Sequence, residues 1–126
     1  MIEAYSENIT VPAGTAIPFN SVKPQKGSTV THPSPDTFNL NKCGVYMVSV
    51  DASVEAATTI ELYKDGVAQA QAQSTGGSSL SFLTLVQSDK NNTCCPCSSP
   101  TSVQIVNTGT AAADFTNCNI VFTKVC

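Results

Sequence analysis

The chain has 126 residues and a formal net charge of −3, and 12% of its residues are charged while 41% are hydrophobic. This length predicts one domain with a substantial core. The six basic residues are scattered lysines, which excludes the clustered basic surface of a nucleic-acid-binding protein.

The N-terminal residues predict an arm. Residues 1–14 contain neither the basic start nor the apolar run of a secretory signal, and no stretch approaches the roughly 18 apolar residues of a membrane span. We therefore expect a protein that is made in the cytosol or is exported together with another protein. Residues 1–16 are interpreted as an N-terminal arm and a candidate attachment segment, and residues 17–126 as a single domain.

Residues 21–35 have the composition of a loop, because prolines and a glycine interrupt long strand pairing. One short strand around residues 28–32 is compatible with this composition. A further short strand is expected at residues 36–40, where alternate side chains are apolar.

The segment 38–50, FNLNKCGVYMVSV, has the strongest strand signal. A turn at residues 41–44 leads into a strand with two apolar faces, one formed by Val45 and Met47 and the other by Tyr46, Val48 and Val50. A strand without a polar face must be covered twice, and we expect a second copy of the chain to supply one cover. The predicted trimer interface consists of apolar residues of this strand and of a later one, namely Val45, Tyr46, Met47, Val48, Leu83 and Leu85.

Further strands are predicted downstream at residues 58–64, 67–74, 80–87, 102–107 and 119–125. Asp65-Gly66 is typical of a type I′ hairpin. After it, small apolar residues alternate with glutamines, which predicts an outward row of Gln69, Gln71 and Gln73. Eight to ten short strands at spacings of about 8–12 residues, without helical periodicity, indicate an antiparallel sandwich. The fold class is therefore predicted to be all-β, a jelly-roll sandwich that forms a homotrimer.

Four sequence motifs together resemble the successive signatures of the complement globular head and tumour-necrosis-factor superfamily: IPFN at residues 17–20, TFNL at 37–40, CGVYMV at 43–48 and LYKDG at 62–66. The resemblance implies a ten-stranded jelly-roll trimer. It is closer still to the short variant at the C-terminus of bacterial exosporium collagen-like glycoproteins and to similar free-standing phage domains. The phage domains serve as head fibres, capsid decoration proteins or fibre tips. No collagen-like repeat precedes the motifs here, which disfavours a stalked spore-surface protein.

The most distinctive local motif is Cys94-Cys95-Pro96-Cys97, within the polar segment 88–100. Closely spaced thiolates are ligands for Zn²⁺ or an iron–sulfur cluster, so Cys94, Cys95 and Cys97 form a candidate metal site. The spacing is not that of a standard zinc ribbon, and a disulfide that pins this segment is the favoured interpretation. We therefore expect no cofactor. The pairing with Cys43, Cys118 and Cys126 stays open.

Catalytic residues are not indicated. His32 is the only histidine, and the carboxylates are scattered along the chain, so we predict that the protein is not an enzyme. Asp51 and Glu55 follow the strand predicted in segment 38–50, at the end where subunits of a trimer would meet. They are therefore candidates to pair with Lys42 or Lys64 across that interface.

The functional hypothesis is a structural virion protein, a trimeric phage head fibre or capsid decoration protein on the virion surface. Its expected partners are two further copies of itself, a capsid or other virion protein reached through the arm, and a host-surface glycan. Neither nucleic acid nor a membrane is expected as a partner. The alternatives are a receptor-binding tip of a phage tail fibre, an exosporium-like spore-surface domain, and a hydrolase that acts on surface polysaccharide.

Overall fold

The computed structural model describes residues 1–25, 27, 29–88 and 100–125. Two five-stranded sheets face each other. The strands are β1 (Ile2–Val11), β2 (Ser21–Gln25), β3 (Val30–Ser34), β4 (Thr37–Leu40), β5 (Gly44–Val54), β6 (Thr58–Lys64), β7 (Val67–Gly76), β8 (Ser79–Ser88), β9 (Thr101–Asn107) and β10 (Ala113–Lys124). The first sheet has the order β2-β1-β10-β5-β8 and the second β3-β4-β9-β6-β7.

All strand pairings among the described residues are antiparallel, which confirms the predicted all-β sandwich. In the described part of the chain, no helix has the length and apolarity that crossing a membrane requires.

The core lies between the two sheets and follows the two-residue period of a strand. On β5, Tyr46, Val48 and Val50 are fully buried, and the intervening residues face away from the second sheet. Phe38 joins the two sheets, because its ring lies 4.8 Å from that of Phe122 on β10. Phe19 adds an edge-on contact, with its ring centroid 5.7 Å from that of Phe38.

The structure corrects the prediction of an N-terminal arm. Residues 2–11 form β1, which lies between β2 and β10, pairing with β10 from Ile2 opposite Phe122 to Val11 opposite Ala113. Ile2 and Ala4 are fully buried. The strand was missed because its other face carries Glu3, Tyr5 and Glu7, which gives the segment a polar appearance.

The segment between β1 and β2 crosses from the first sheet to the second and back. Ala16 forms an isolated bridge with Val106, and the amide of Ile17 donates to the carbonyl of Ile105 over 2.7 Å. The chain then returns as β2, inside the stretch that was predicted to be a loop. Pro24 is tolerated there because β2 is an edge strand and needs partners on one side only.

The hairpin between β6 and β7 confirms the prediction made from Asp65-Gly66. The φ angles of Asp65 and Gly66 are 51° and 80°, and a type I′ turn requires positive values at both positions. The carboxylate of Asp65 also accepts from the backbone amide of Ser102 over 3.0 Å.

Beyond this turn, β7 departs from the regular alternation that the sequence suggested. Its register with β6 jumps between the pairs Glu61–Gln73 and Tyr63–Ala68, so β7 contains a bulge. The predicted outward row of glutamines is therefore confirmed only in part: Gln71 and Gln73 are exposed, whereas Gln69 is half-buried.

Candidate functional site

The outer face of the first sheet carries an apolar surface where β5 pairs with β8. Met47 lies opposite Leu85, and Ser49 lies opposite Leu83. Both leucines are 64% exposed, and they belong to an edge strand. We call Val45, Met47, Leu83 and Leu85 the outer patch.

The structure separates the predicted interface residues into two groups. The four residues of the outer patch face away from the core, so they remain candidates for contact with another subunit. Tyr46 and Val48 are corrected: both have no exposed surface, because their side chains face the second sheet inside one subunit. The second sheet thus covers one of the two apolar faces of β5. The other face, which carries the outer patch, is exposed to solvent in one subunit.

A groove of about 720 Å³ lies beside the outer patch, where the edges of the two sheets come together at β7 and β8. Its buried lining residues are Leu62, Ala72 and Val86. Its polar lining residues are Lys64, Gln69, Gln71, Thr84 and Gln87, and Met47, Leu83 and Leu85 line it as well. The outer patch and the groove therefore form one continuous surface.

Sequence analysis missed the groove because it depends on how two sheet edges meet. Gln69 and Gln71 line the groove, and both lie in the stretch of β7 between Ala68 and Gln73 where the register with β6 shifts. The only signal in the sequence is the run of small residues between the glutamines, since alanine side chains leave space beside a strand. The sequence does not indicate on which face of the strand this space lies.

The four charged residues proposed to pair across the interface lie in different environments. Lys64 lines the groove. Asp51 is exposed on the outer face, opposite Ser81 on β8. Glu55 follows β5, and its backbone amide donates to the carbonyl of Asp114 over 3.1 Å. Lys42 is exposed in the turn before β5. Pairing across a subunit contact stays a proposal.

The predicted metal ligands Cys94, Cys95 and Cys97 lie outside the described residues, as does Cys126. Cys43 takes part in a disulfide, whereas Cys118 is a free, fully buried thiol. Burial raises the pKa of Cys118 to about 12, and a backbone hydrogen bond involving Ser6 lowers it by a smaller amount. Within the described ranges, no three His, Cys, Asp or Glu side chains are grouped to hold a metal ion.

The lone histidine has a structural environment. His32 stacks on Phe38 with ring centroids 4.2 Å apart, and its two ring nitrogens lie against backbone carbonyl oxygens of Thr37 and Phe19. A general base needs a free nitrogen that can reach a substrate proton. Here both nitrogens are occupied by the protein backbone.

No protein-family model matches the chain, and no curated protein sequence matches it. Solved structures do. The globular domain of zebrafish complement 1qA protein matches with a TM-score of 0.65 at 13% identity, over 95% of this chain and 94% of that one. PRD1 vertex protein P5 matches with a TM-score of 0.68 at 11% identity, over 99% and 96% of the two chains.

A third match, murine APRIL, has a TM-score of 0.66 at 8% identity and covers 98% of both chains. Likeness at these identities establishes the fold rather than the activity. It confirms the resemblance that the four motifs indicated. The chain has the two-sheet jelly-roll fold that complement globular domains share with tumour-necrosis-factor-like proteins.

Proposed function

We propose that this protein is a structural component of a phage particle, a homotrimeric head fibre or capsid decoration protein that displays its jelly roll on the virion surface. The observation that carries the proposal is the outer patch, in which Leu83 and Leu85 are each 64% exposed on a sheet face. Burying such a side chain contributes roughly 1.5–3 kcal/mol. Contiguous apolar surface of this kind is typical of a protein–protein contact.

The position of the patch places a subunit contact at one edge of the sandwich. The patch lies at the β8 edge of the first sheet, and Met47, Leu83 and Leu85 also line the groove. A second copy of the chain that meets this surface with a different part of its own surface forms a contact that closes into a ring when the rotation permits. The resembled family forms jelly-roll trimers, and we therefore propose three subunits.

The virion location is supported by the likeness to PRD1 vertex protein P5, which spans nearly the whole of both chains. The low charge of the chain suits a domain whose task is display. The lone histidine is engaged in the scaffold, since the two ring nitrogens of His32 lie against backbone carbonyl oxygens. The proposed role is accordingly non-catalytic.

The proposed attachment partner is a capsid protein or another virion protein. Because β1 lies between two other strands, an attachment through residues 1–16 uses exposed groups such as Met1 and Glu7 and leaves β1 in its sheet. The displayed surface is proposed to meet host-surface glycans.

Localisation tests this proposal. Purified particles of the phage that encodes the chain are treated with antibody raised against the folded domain and examined by electron microscopy. Labelling distributed over the capsid supports a head fibre or decoration protein. Labelling confined to the tail tip supports the receptor-binding alternative, and absence of the protein from particles, checked by mass spectrometry, contradicts a virion role.

A further inference from the structure

The outer patch is too small to hold an oligomer together by itself. It consists of Val45, Met47, Leu83 and Leu85, whereas a stable contact involves about 800 Å² and about 20–30 residues on each partner. A second copy that covers the patch therefore also touches surface beyond it. The edges of the sandwich and the register of the first sheet indicate where that surface lies.

The two edges of the sandwich differ in how they are protected against further pairing. At one edge, β2 contains Pro24 and β3 contains Pro33, and a proline has no amide to donate to another strand. At the other edge, β7 and β8 are each ten residues long and contain neither proline nor a charged side chain. Edge strands that face only water usually carry such protection. The β8 edge therefore has the features of an edge that another chain covers.

The register of the first sheet aligns its outward side chains in rows that run across the strands. Leu83 on β8 lies opposite Ser49 on β5, and Ser49 lies opposite Val121 on β10. Leu83 is 64% exposed, whereas Ser49 and Val121 are half-buried. Val121 is thus an apolar position on the outer face that lies outside the outer patch, and only small side chains separate the two. An exposed leucine of a second copy can pack on it.

The neighbouring row contains an unsatisfied oxygen. Ser81 on β8 lies opposite Asp51 on β5, and Asp51 lies opposite Asn119 on β10. Among the side chains of the described residues, the Oδ1 of Asn119 is the buried atom that has no hydrogen-bond partner. Buried side-chain oxygens in native proteins are nearly always hydrogen-bonded. The subunit itself supplies no donor to this one, which points to a donor on another molecule that covers β10.

We propose that Leu83 of each subunit packs on Val121 of its neighbour, so that the β8 edge of one copy lies along β10 of the next. As in the proposed function, on which this inference rests, three copies form a ring. A rotation about the ring axis moves no atom along that axis. With the axis running along these strands, side chains that share a row in one subunit meet at the same level in neighbouring subunits. Leu85 then faces Thr123, since these two share a row with Met47.

The same alignment supplies a donor to Asn119. Ser81 is exposed on β8, and its backbone amide donates to the Oγ of Ser74 over 3.1 Å. Its hydroxyl comes level with Asn119 of the neighbouring subunit. A rotation of the Asn119 amide brings Oδ1 to the outer face, where it accepts from that hydroxyl. A slip of the contact by two residues would place Ser81 at Val121 and leave the oxygen without a donor, which penalises the wrong alignment.

Cysteine cross-linking tests the proposed alignment. Within one subunit β5 separates Leu83 from Val121, and two strand spacings place their Cα atoms roughly 9.5 Å apart, beyond the reach of a disulfide. A disulfide in Leu83→Cys with Val121→Cys therefore joins two subunits. Both side chains lie outside the core cluster, and circular dichroism checks the fold. After mild oxidation, we expect chains linked in twos and threes on a denaturing gel without reductant, in amounts that neither single variant produces.

The matched control is Leu83→Cys with Asn117→Cys, which moves the second cysteine four residues along the same face of β10 to an exposed position. Cross-linking confined to the Val121 pair supports the alignment. A protein that has the mass of a trimer but gives equal cross-linking in both pairs, or in neither, overturns the alignment and leaves the proposed function standing. A monomer in solution overturns both.

A double-mutant cycle tests the hydrogen bond between Ser81 and Asn119. Ser81→Ala and Asn119→Ala are each expected to weaken association by roughly three- to tenfold, the range of one hydrogen bond. The combined variant should be no weaker than either single one, because both replacements remove the same bond. Sedimentation equilibrium measures the association constants. Effects that multiply in the combined variant, or no effect in either single variant, overturn the assignment of Ser81 as the donor.

Discussion

Met47 and Leu85 lie directly opposite each other on β5 and β8, with both side chains on the sheet face that points away from the core. In one subunit, Met47 is half-buried and Leu85 is 64% exposed. Side chains opposite each other on neighbouring strands pack as a pair, so the pair presents one apolar ridge. The open side of this ridge is the surface that the proposed trimer covers.

Replacing the two exposed leucines tests that ridge. Leu83→Ser with Leu85→Ser is expected to produce a folded monomer, because both side chains face solvent in one subunit and contribute little to its own core. Sedimentation velocity measures the association state, and circular dichroism checks the fold. The matched control is Val22→Ser, which alters an exposed apolar residue at the opposite edge of the first sheet and should leave association unchanged.

The buried side chain of Asn107 on β9 forms hydrogen bonds with β6, with β1 and with the turn that follows β9. The side-chain oxygen of Asn107 accepts from Thr58 over 2.6 Å and from the amide of Gly109 over 3.1 Å, and its Nδ2 donates to the carbonyl of Val11 over 3.0 Å. Asn107→Ala leaves these buried partners unsatisfied. We expect it to lower the free energy of unfolding by about 2–4 kcal/mol.

Urea denaturation measures the effect of Asn107→Ala. Asn117→Ala, at an exposed position of β10, is the control and should change stability by less than about 0.5 kcal/mol. Equal losses in the two variants would mean that the buried hydrogen bonds of Asn107 do not stabilise the fold.

Gly109 lies too close to this network to accept a side chain. A Cβ atom there would collide with the Oγ1 of Thr58 and press on the Oδ1 of Asn107. Gly109→Ala is expected to destabilise by about 1–3 kcal/mol, as overpacking of a core does. Gly77→Ala is the matched control, since its nearest neighbour, the Cβ of Ala57, is 3.9 Å away. Thermal unfolding distinguishes the two, and a melting temperature that falls equally in both would contradict the collision.

The buried thiol predicts a loss of stability in alkaline solution. The pKa of Cys118 is raised from 9.0 to about 12 by burial, so the unfolded chain releases the thiol proton at a lower pH than the folded one. The stability that depends on the neutral thiol is complete below about pH 8.5 and is lost as the pH rises toward 12. Burial also raises the pKa of Tyr46, which acts in the same direction at higher pH.

Urea denaturation across pH 8 to 11 checks this prediction. Cys118→Ala is expected to show a shallower fall of stability with pH than the unaltered protein, whatever its stability at neutral pH. Identical slopes would mean that Cys118 does not titrate as its burial requires.

Sequence reasoning succeeded where one local signal decides the structure. β6 spans Thr58–Lys64 as predicted, because its apolar alternation ends at an Asp-Gly turn. It failed where the structure of a segment depends on pairing with a strand that is far away in the sequence. β1 has two glutamates on one face, and the positive φ of Asn8 interrupts its period, yet β10 holds it in the sheet. β10 begins at Ala113 and not at the predicted residue 119, because its first residues also pair with β1.

The candidate site was predictable in part. The two apolar faces of β5 were evident from the sequence, but which face the second sheet covers depends on the sandwich as a whole. Tyr46 and Val48 were therefore assigned to the wrong contact, whereas Leu83 and Leu85 are exposed as an interface requires. The groove lies where the β7 and β8 edges of the two sheets meet and includes the irregular part of β7, for which the sequence contains no specific signal.

The molar mass of the unaltered protein in solution tests the central claim most directly. Light scattering coupled to size-exclusion chromatography at micromolar concentration should give three times the 13.1 kDa of one chain. A single species of 13.1 kDa that persists as the concentration is raised would contradict the account, because the outer patch would then remain in contact with water.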